Sequence, residues 1–443
     1  MDLPFPQMRL TVIGLGYLGL THAVCMADLG HDVLAIDTDP DRVAKAAAGE
    51  APFFEPGLEP LLRKNLEAGR LRFTTSYSEV GAFGQVHFLC VGTPQSAGGS
   101  ADLQYACAAV DALAPHLTRR CLVAGKSTVP VGTARMLASR LRERAPAADQ
   151  VELAWNPEFL REGTAVQDSL SPDRFVFGVT SSWSADQLRN VYAAPLWNGA
   201  PSLVMDLETA ELVKMAANSF LATKISFINA MAEVCEASGA DVVRLAAALA
   251  HDQRIGGRFL APGLGFGGGC LPKDIRAFRA TARTLGVGSV DRFLGEVDAI
   301  NTSRRTRVAD LTREAVGGTL SGQHVAVLGI AFKPGSDDVR DSPSLAVCDE
   351  LAREGAIVRV HDPVASGNAA RVRPELRYAE TVTEAAAGAD IVLHLTEWPD
   401  YRAIDPAALG QVVARRNIVD ARCALDAQFW RTAGWTVRVL GRP

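Results

Sequence analysis

The sequence predicts an α/β protein in which two doubly wound, parallel-sheet domains are joined by a long-helix central domain. Three observations predict it. A glycine turn separates a strand-like run from a helical run near the N-terminus. From Asp206 to Gly239 the chain keeps helical periodicity with no internal Gly or Pro. After residue 317 a second alternation of strand and helix begins. With 443 residues the chain exceeds a single core, and about 100–200 residues per domain gives two to four domains.

Residues 8–13 (MRLTVI) read as a buried strand, 14–30 as a glycine-rich turn followed by a helix, and 33–37 (VLAID) as the next strand. Further strands are expected at 86–91 (VHFLCV), 121–125 (CLVAG) and 151–155 (VELAW), with Ala- and Leu-rich helical patterns between them. Alternation of this kind implies a parallel sheet covered on both faces. The first domain is placed at 1–203, ending after APLWNGAPS. The helical run from Asp206 is about 45 Å long at 1.5 Å per residue. A helix of that length suits the spine of a linking domain or a subunit interface. A second helical stretch at 291–316 completes a central domain, 204–317. Beyond GGTLSGQ (317–323), strands are expected at 324–330, 356–363, 389–395 and 416–421, with a helix at 344–355, giving a third domain, 318–443.

Composition narrows the function. Hydrophobic residues make up 48% and charged residues 21%, and the net charge of −5 supplies no overall basic field for nucleic acid or an anionic membrane. The N-terminus MDLPFPQMRL lacks the regions of a signal peptide, and no run approaches the roughly 18 apolar residues of a membrane span. The eight cysteines and eight histidines are scattered, with no C-x-x-C pair and no metal-ligand spacing. The expectation is a cytoplasmic protein with neither disulfides nor a metal, binding phosphate only locally.

Gly14-Leu15-Gly16-Tyr17-Leu18-Gly19 falls between a strand and a helix. The first glycine permits the tight turn, the second lets backbone approach a pyrophosphate, and the third lets helix and strand pack closely. Asp37 stands at the end of the second strand, where a carboxylate accepts from ribose hydroxyls and repels a 2′-phosphate. NAD is therefore expected rather than NADP; a glycine turn that binds nothing is the bland alternative. The corresponding turn of the third domain, Gly329-Ile330-Ala331-Phe332-Lys333-Pro334-Gly335, carries no such fingerprint. Lys333 there suits a second phosphate-bearing ligand, or is a solvated loop lysine.

Five glycines crowd the seven residues before Cys270, in GLGFGGGCLPKD. Such density is costly in entropy and useful where backbone N–H groups must approach a ligand. Lys273 and Asp274 follow three and four residues on: an ammonium favours the thiolate, and a carboxylate handles protons. A lone cysteine is otherwise a small hydrophobe.

This loop resembles the active-site loop of the UDP-glucose/GDP-mannose dehydrogenase family. KSTVPVGT (126–133), NPEFLREGTA (156–165), ELVKMAANSFLA (211–222), DQRIGGRFL (252–260) and AFKPGSDDVRDSPS (331–344) match it in order. The resemblance spans nearly the whole chain and implies two Rossmann-like domains around the helical one. It implies NAD-dependent, four-electron oxidation of a nucleotide sugar at C6, with the R-I-G segment favouring UDP-glucose over GDP-mannose. It also implies covalent capture of the aldehyde on Cys270, oxidation to a thioester, and hydrolysis.

Residue by residue, the resemblance implies further roles. Lys214 and Asn218, one turn apart, would hold the sugar and steady negative oxygen. Asp274 would order a water, Glu158 would serve the thioester step as acid and base, and Thr128 would place the water. Substrate contacts are implied at Glu158, Phe159, Leu160, Arg161, Lys214, Asn218, Phe266, Gly267, Phe332, Lys333 and Arg422. Arg254 would reach a neighbouring subunit's substrate site, so a homodimer or larger homo-oligomer is expected. Cofactor contacts are implied at Gly14, Gly16, Gly19, Asp37, Thr93, Ser127, Glu162, Lys273 and Arg340. Taken singly, Glu158 or Asp274 also reads as a helix cap, Arg254 or Arg422 as a surface ion-pair partner, and Lys214 as a snorkelling lysine.

Two departures stand out. Gly269 replaces the serine common before the nucleophile, and Ala261 stands where some relatives have a lysine. Two other classes remain open: a two-electron β-hydroxyacid dehydrogenase, and a non-catalytic NAD sensor. The NADH formed per substrate separates the three readings: two, one or none.

Overall fold

The computed structural model describes residues 5–96 and 98–442. Its contacts divide the chain into two compact units: residues up to Ala217 with Arg276–Leu285, and Asn218–Ile275 with Gly286 onward.

The first unit is built on strands β1 (Arg9–Ile13), β2 (Asp32–Ile36), β3 (Leu71–Thr74), β4 (Val86–Leu89), β5 (Cys121–Gly125), β6 (Val151–Trp155), β7 (Phe175–Gly178) and β8 (Ser202–Met205). They form one sheet in the order β3-β2-β1-β4-β5-β6-β7-β8. The order reverses at β1, which pairs in parallel with β2 on one side and β4 on the other. Both sheet faces are covered, so β1 must be apolar at consecutive positions. Val12 packs in a cluster with Val24, Phe88 and Phe177, while its neighbour Ile13 packs in another with Leu34, Val110 and Trp155. Alternating side chains put these two cores on opposite faces.

The alternating pattern predicts parallel pairing throughout, and the structure departs from it once. β7 meets β6 antiparallel through Trp155 and Gly178, and β8 then pairs parallel with β7. The intervening helix, Ala165–Leu170, has six residues, about 9 Å of rise.

The helix Leu207–Ser238 is unbroken over 32 residues, as the run without Gly or Pro predicts. In the second unit its later turns bury Ile228, Ala232 and Cys235 against Val242, Ala246 and Leu260. The second sheet contains β9 (His324–Leu328), β10 (Ile357–His361), β11 (Arg377–Tyr378), β12 (Ile391–His394), β13 (Asn417–Asp420) and β14 (Thr436–Val439). All pair in parallel, in the order β11-β10-β9-β12-β13-β14. This is the doubly wound order of the first six strands of the other sheet, so both units are Rossmann-like. The turns after β1 and β9 close alike. Gly14 N donates to Ile36 O and Gly329 N to His361 O, each at 2.8 Å, and both glycines have positive φ. The helix Gly288–Val316 packs on the second sheet, and Leu264 of the glycine loop is buried in the same core. Among the described residues no helix is long and apolar enough to cross a membrane.

Candidate active site

The turn after β1 is shaped by close approach. A Cβ on Gly19 would lie 1.8 Å from Gly14 O, so only glycine lets the first helix, Tyr17–Asp28, start this near the strand. At Gly16, which precedes that helix, a Cβ would meet nothing within 4 Å. Free N–H groups and the positive end of the helix dipole face that open side. Asp37 is buried at the end of β2; Oδ2 accepts from Leu15 N at 2.7 Å and Oδ1 from Asp39 N at 3.0 Å. Each carboxylate oxygen keeps accepting capacity for a hydroxyl. The Arg42 guanidinium stands 3.8 Å from Asp37 Oδ2. A strand-capping acid beside a glycine cradle fits the adenosine and pyrophosphate of a dinucleotide.

Beyond β4 and β5, Thr93 Oγ1 donates to Thr128 O at 2.9 Å, and Ser127 Oγ donates to Val91 O at 2.6 Å. These bonds knit the loops carrying Thr93, Ser127 and Thr128 together. After β6, Glu158 accepts from Leu160 N through Oε2, and its Oε1 lies 3.1 Å from Lys214 Nζ. Lys214 Nζ is also 5.5 Å from the centre of the Phe159 ring, over which Arg174 stacks at 3.8 Å. Glu158, Phe159 and Lys214 are thus brought together. Arg161 points its guanidinium at Asp168, which also accepts from Arg161 N at 2.9 Å, so it braces its own loop. Glu162 follows it, half-buried.

In the second unit Asn218 Nδ2 donates to Asp274 Oδ2 at 2.6 Å, and Lys273 Nζ lies 2.8 Å from Asp274 Oδ1. Asp274 is 1% exposed, so this carboxylate depends on those partners for the solvation it has lost. Asp274 N donates to Cys270 O at 2.9 Å, which opens the helix Leu271–Thr284 and leaves Cys270 at its N-terminus. A thiolate is favoured at that end of the dipole. Among the described residues Cys270 is the one exposed cysteine. Burial pushes the thiols of Cys25, Cys90, Cys121 and Cys423 up to about 12, so they are inert.

The glycine loop is held by backbone contacts that side chains would block. Asn301 accepts from Phe266 N at 2.8 Å and donates to Phe266 O at 3.0 Å. At Gly268 a Cβ would lie 2.9 Å from the Phe332 ring, and Gly268 N donates to Arg340 O at 2.9 Å. Gly267 passes close to Asp341 O. At Gly269 a Cβ would lie 2.3 Å from Arg340 Cζ, so a side chain here would require the guanidinium to shift. The Arg340 guanidinium also holds Asp338, with the shortest contact at 2.6 Å. Lys333 Nζ stands 5.6 Å from the centre of the Phe332 ring. Arg422 donates to Gly265 O (3.0 Å), Phe332 O (3.3 Å) and Leu395 O (2.6 Å), fastening the loop to the sheet. Arg254 is apart from this group: its guanidinium is 89% exposed and paired with Asp252 in its own turn.

Several contacts around these residues escape sequence reasoning. Lys126 is buried, and burial holds its ammonium down to about 8. It donates to Asn156 Oδ1 (3.1 Å) and the Tyr192 hydroxyl (3.3 Å), behind the Glu158 turn. Glu55 accepts from Gly163 N (2.6 Å), Ala165 N (2.7 Å) and the Tyr17 hydroxyl. Asn229 accepts from Gly263 N at 2.9 Å. Only Lys126 carried a signal, standing at the head of KSTVPVGT.

The arrangement matches known proteins along its length. Residues 8–195 match the UDP-glucose/GDP-mannose dehydrogenase family, NAD binding domain; 208–303 match its central domain and 326–427 its UDP binding domain. The UDP-glucose 6-dehydrogenases of Pseudomonas aeruginosa and Rhizobium meliloti are each 40% identical over 98% of this chain, covering 98% and 100% of those proteins. The solved UDP-glucose dehydrogenase of the hyperthermophilic archaeon Pyrobaculum islandicum superposes with a TM-score of 0.92 at 38% identity, covering 100% of both chains. The chain belongs to the UDP-glucose/GDP-mannose dehydrogenase family and is an NAD-dependent nucleotide-sugar dehydrogenase.

Proposed function

We propose that this protein oxidises UDP-glucose to UDP-glucuronate through a thioester on Cys270. The observation that carries the reading is the exposed Cys270 thiol at a helix N-terminus, between a five-glycine loop and the Lys273–Asp274 pair. The substrate follows from relatives named for UDP-glucose at about 40% identity over nearly the whole chain.

When bound, NAD supplies the hydride acceptor for both two-electron oxidations. Gly14, Gly16 and Gly19 cradle its phosphates and Asp37 its ribose, with further contacts from Thr93, Ser127, Glu162, Lys273 and Arg340. The C6 alcohol gives up its hydroxyl proton and a hydride from its C6–H bond, and becomes an aldehyde. Cys270 Sγ adds to that carbon, forming a C–S bond and a thiohemiacetal. Loss of the second hydride and the hydroxyl proton leaves the thioester. A water then adds, the C–S bond breaks, and carboxylate and thiol are released.

Lys214 and Asn218 stabilise the negative oxygen of the tetrahedral species. Glu158 and Asp274 move protons at the attacking water, which Thr128 positions. Residues Phe159–Glu162, Phe266, Gly267, Phe332, Lys333 and Arg422 contact the nucleotide sugar. Three domains with junctions near 203 and 317 belong to this reading, as does a homodimer. The dimer is supported by Phe220, Phe227 and Val234, exposed at seven-residue intervals on one helix face, and Arg254 then serves the neighbouring site.

The test counts NADH formed per UDP-glucose, with GDP-mannose as comparator. Two NADH per UDP-glucose are expected, and one would point to a simple two-electron dehydrogenase. Cys270→Ser is expected to end full turnover, and turnover at the unaltered rate overturns the mechanism.

A further inference from the structure

We propose that Glu55 and Tyr17 are positioning residues that couple the two ligand loops of the N-terminal unit, so that each ligand tightens binding of the other. The proposal rests on the function above for the identity of the ligands. Tyr17 is the first residue of the helix that opens beside the glycine turn. Its hydroxyl donates to Glu55 Oε2. The same carboxylate accepts from Gly163 N at 2.6 Å and Ala165 N at 2.7 Å. Gly163 directly follows Glu162, the last residue of the 159–162 segment assigned to the nucleotide sugar.

Glu55 is 6% exposed, so water does not replace a donor that moves away. Any displacement of the 161–165 loop therefore costs the carboxylate two charge-assisted bonds. Any displacement of Tyr17 costs it a third. Burial and the adjacent Glu55 carboxylate push the Tyr17 hydroxyl well above its ordinary range, so it remains a donor throughout the working pH. The Phe53 ring, its centre 4.7 Å from that of Tyr17, limits where the phenol can swing. The loop and the cofactor helix thus share one carboxylate, and ordering either one orders the other.

The test measures coupling in a complex that does not react. NADH fluorescence titrations of the full-length protein are run with and without saturating UDP-glucose, since NADH does not accept hydride. The wild type is expected to bind NADH about fivefold or more tighter in the presence of UDP-glucose. Tyr17→Phe, which removes one oxygen and keeps the ring, is expected to bring that ratio close to one. Glu55→Gln is expected to do the same. A purely structural role would lower thermal stability in both variants and leave the ratio unchanged, and that result overturns the proposal. A wild-type ratio of one overturns it as well. Oxidation of UDP-glucose by the wild type is measured alongside. Its absence overturns the functional reading, whereas turnover with an unaltered ratio in Tyr17→Phe overturns only the coupling.

Discussion

Replacing Lys214 by Met removes one half of a buried ion pair. Its ammonium lies 3.1 Å from Glu158 Oε1, and the two side chains are only 6% and 13% exposed. At an effective dielectric constant near 20, unit charges at that separation attract by about 5 kcal/mol. Desolvation of both groups offsets much of this gain in the wild type. In the variant the carboxylate stays desolvated and has lost its cation. The expected loss is about 3 kcal/mol, at the low end for a broken buried pair, because Leu160 N still donates to Glu158 Oε2. For a domain of roughly 200 residues this lowers Tm by about 6–12 °C. Adding Glu158→Gln removes the stranded charge, and the double variant is expected to regain at least half of the loss, a coupling of roughly 2 kcal/mol. Calorimetry of the two single variants and the double variant measures it. Additive losses, or a Lys214→Met transition within about 2 °C of wild type, refute the buried-pair reasoning.

Asp37→Asn removes the charge that repels a 2′-phosphate and leaves Arg42 in place. The NADP-to-NAD ratio of kcat/KM is expected to rise by about tenfold or more, and adding Arg42→Ala should reverse the rise; an unmoved ratio contradicts the assignment of Asp37. Burial pushes the Glu211 carboxyl up to about 7, against the N–H groups of Gly132 and Ala134 that favour its charged form. With its folded pKa raised above an unfolded value near 4.3, its stability contribution is full below that value and lost as pH rises through about 7. Urea denaturation from pH 4.5 to 8 should therefore show the wild type losing ground to Glu211→Gln until about pH 7 and holding level above it, and a pH-independent difference refutes this. Phe227→Glu places a charge in the exposed apolar stripe and is expected to shift the protein from dimer to monomer in sedimentation velocity, whereas an unchanged profile argues against that interface.

The parts legible in the sequence are those whose signal is local. β1, β5 and β9 are buried at consecutive positions, and mostly apolar there, because both faces of each sheet are covered. The long helix announces itself by lacking Gly and Pro for 32 residues. The glycine-cysteine loop is recognisable because every close approach it makes is recorded as a glycine. β3 and β8 are partly exposed, so their runs LRFT and SLVM carry no clear alternation. β7 is four apolar residues whose reversed direction depends on how the preceding loop returns. The missed site residues act over distance. Glu55 reaches Gly163, 108 residues away, and Asn301 holds Phe266, 35 residues away. A glutamate after a loop phenylalanine or an asparagine within a helix has no composition or spacing that marks such a role. Arg422 was expected at the substrate, and its three bonds to backbone carbonyls show that such an arginine also ties down the loop.

The turn after β9 repeats the glycine closure of the turn after β1, yet the acid beside it has been put to another use. Asp362 ends β10 as Asp37 ends β2, but its two oxygens take five donors: the N–H groups of Ile330, Ala331, Val364 and Ala365 and the indole of Trp398. Its accepting capacity is spent on its own chain. Grafting the missing glycines into 329–335 would therefore not create a second dinucleotide cradle. The carboxylate needed by the adenosine sugar would already be engaged, and freeing it would unfasten the turn it supports. One strand order thus yields two sockets of different appetite, and the difference lies in how many neighbours a single aspartate already satisfies.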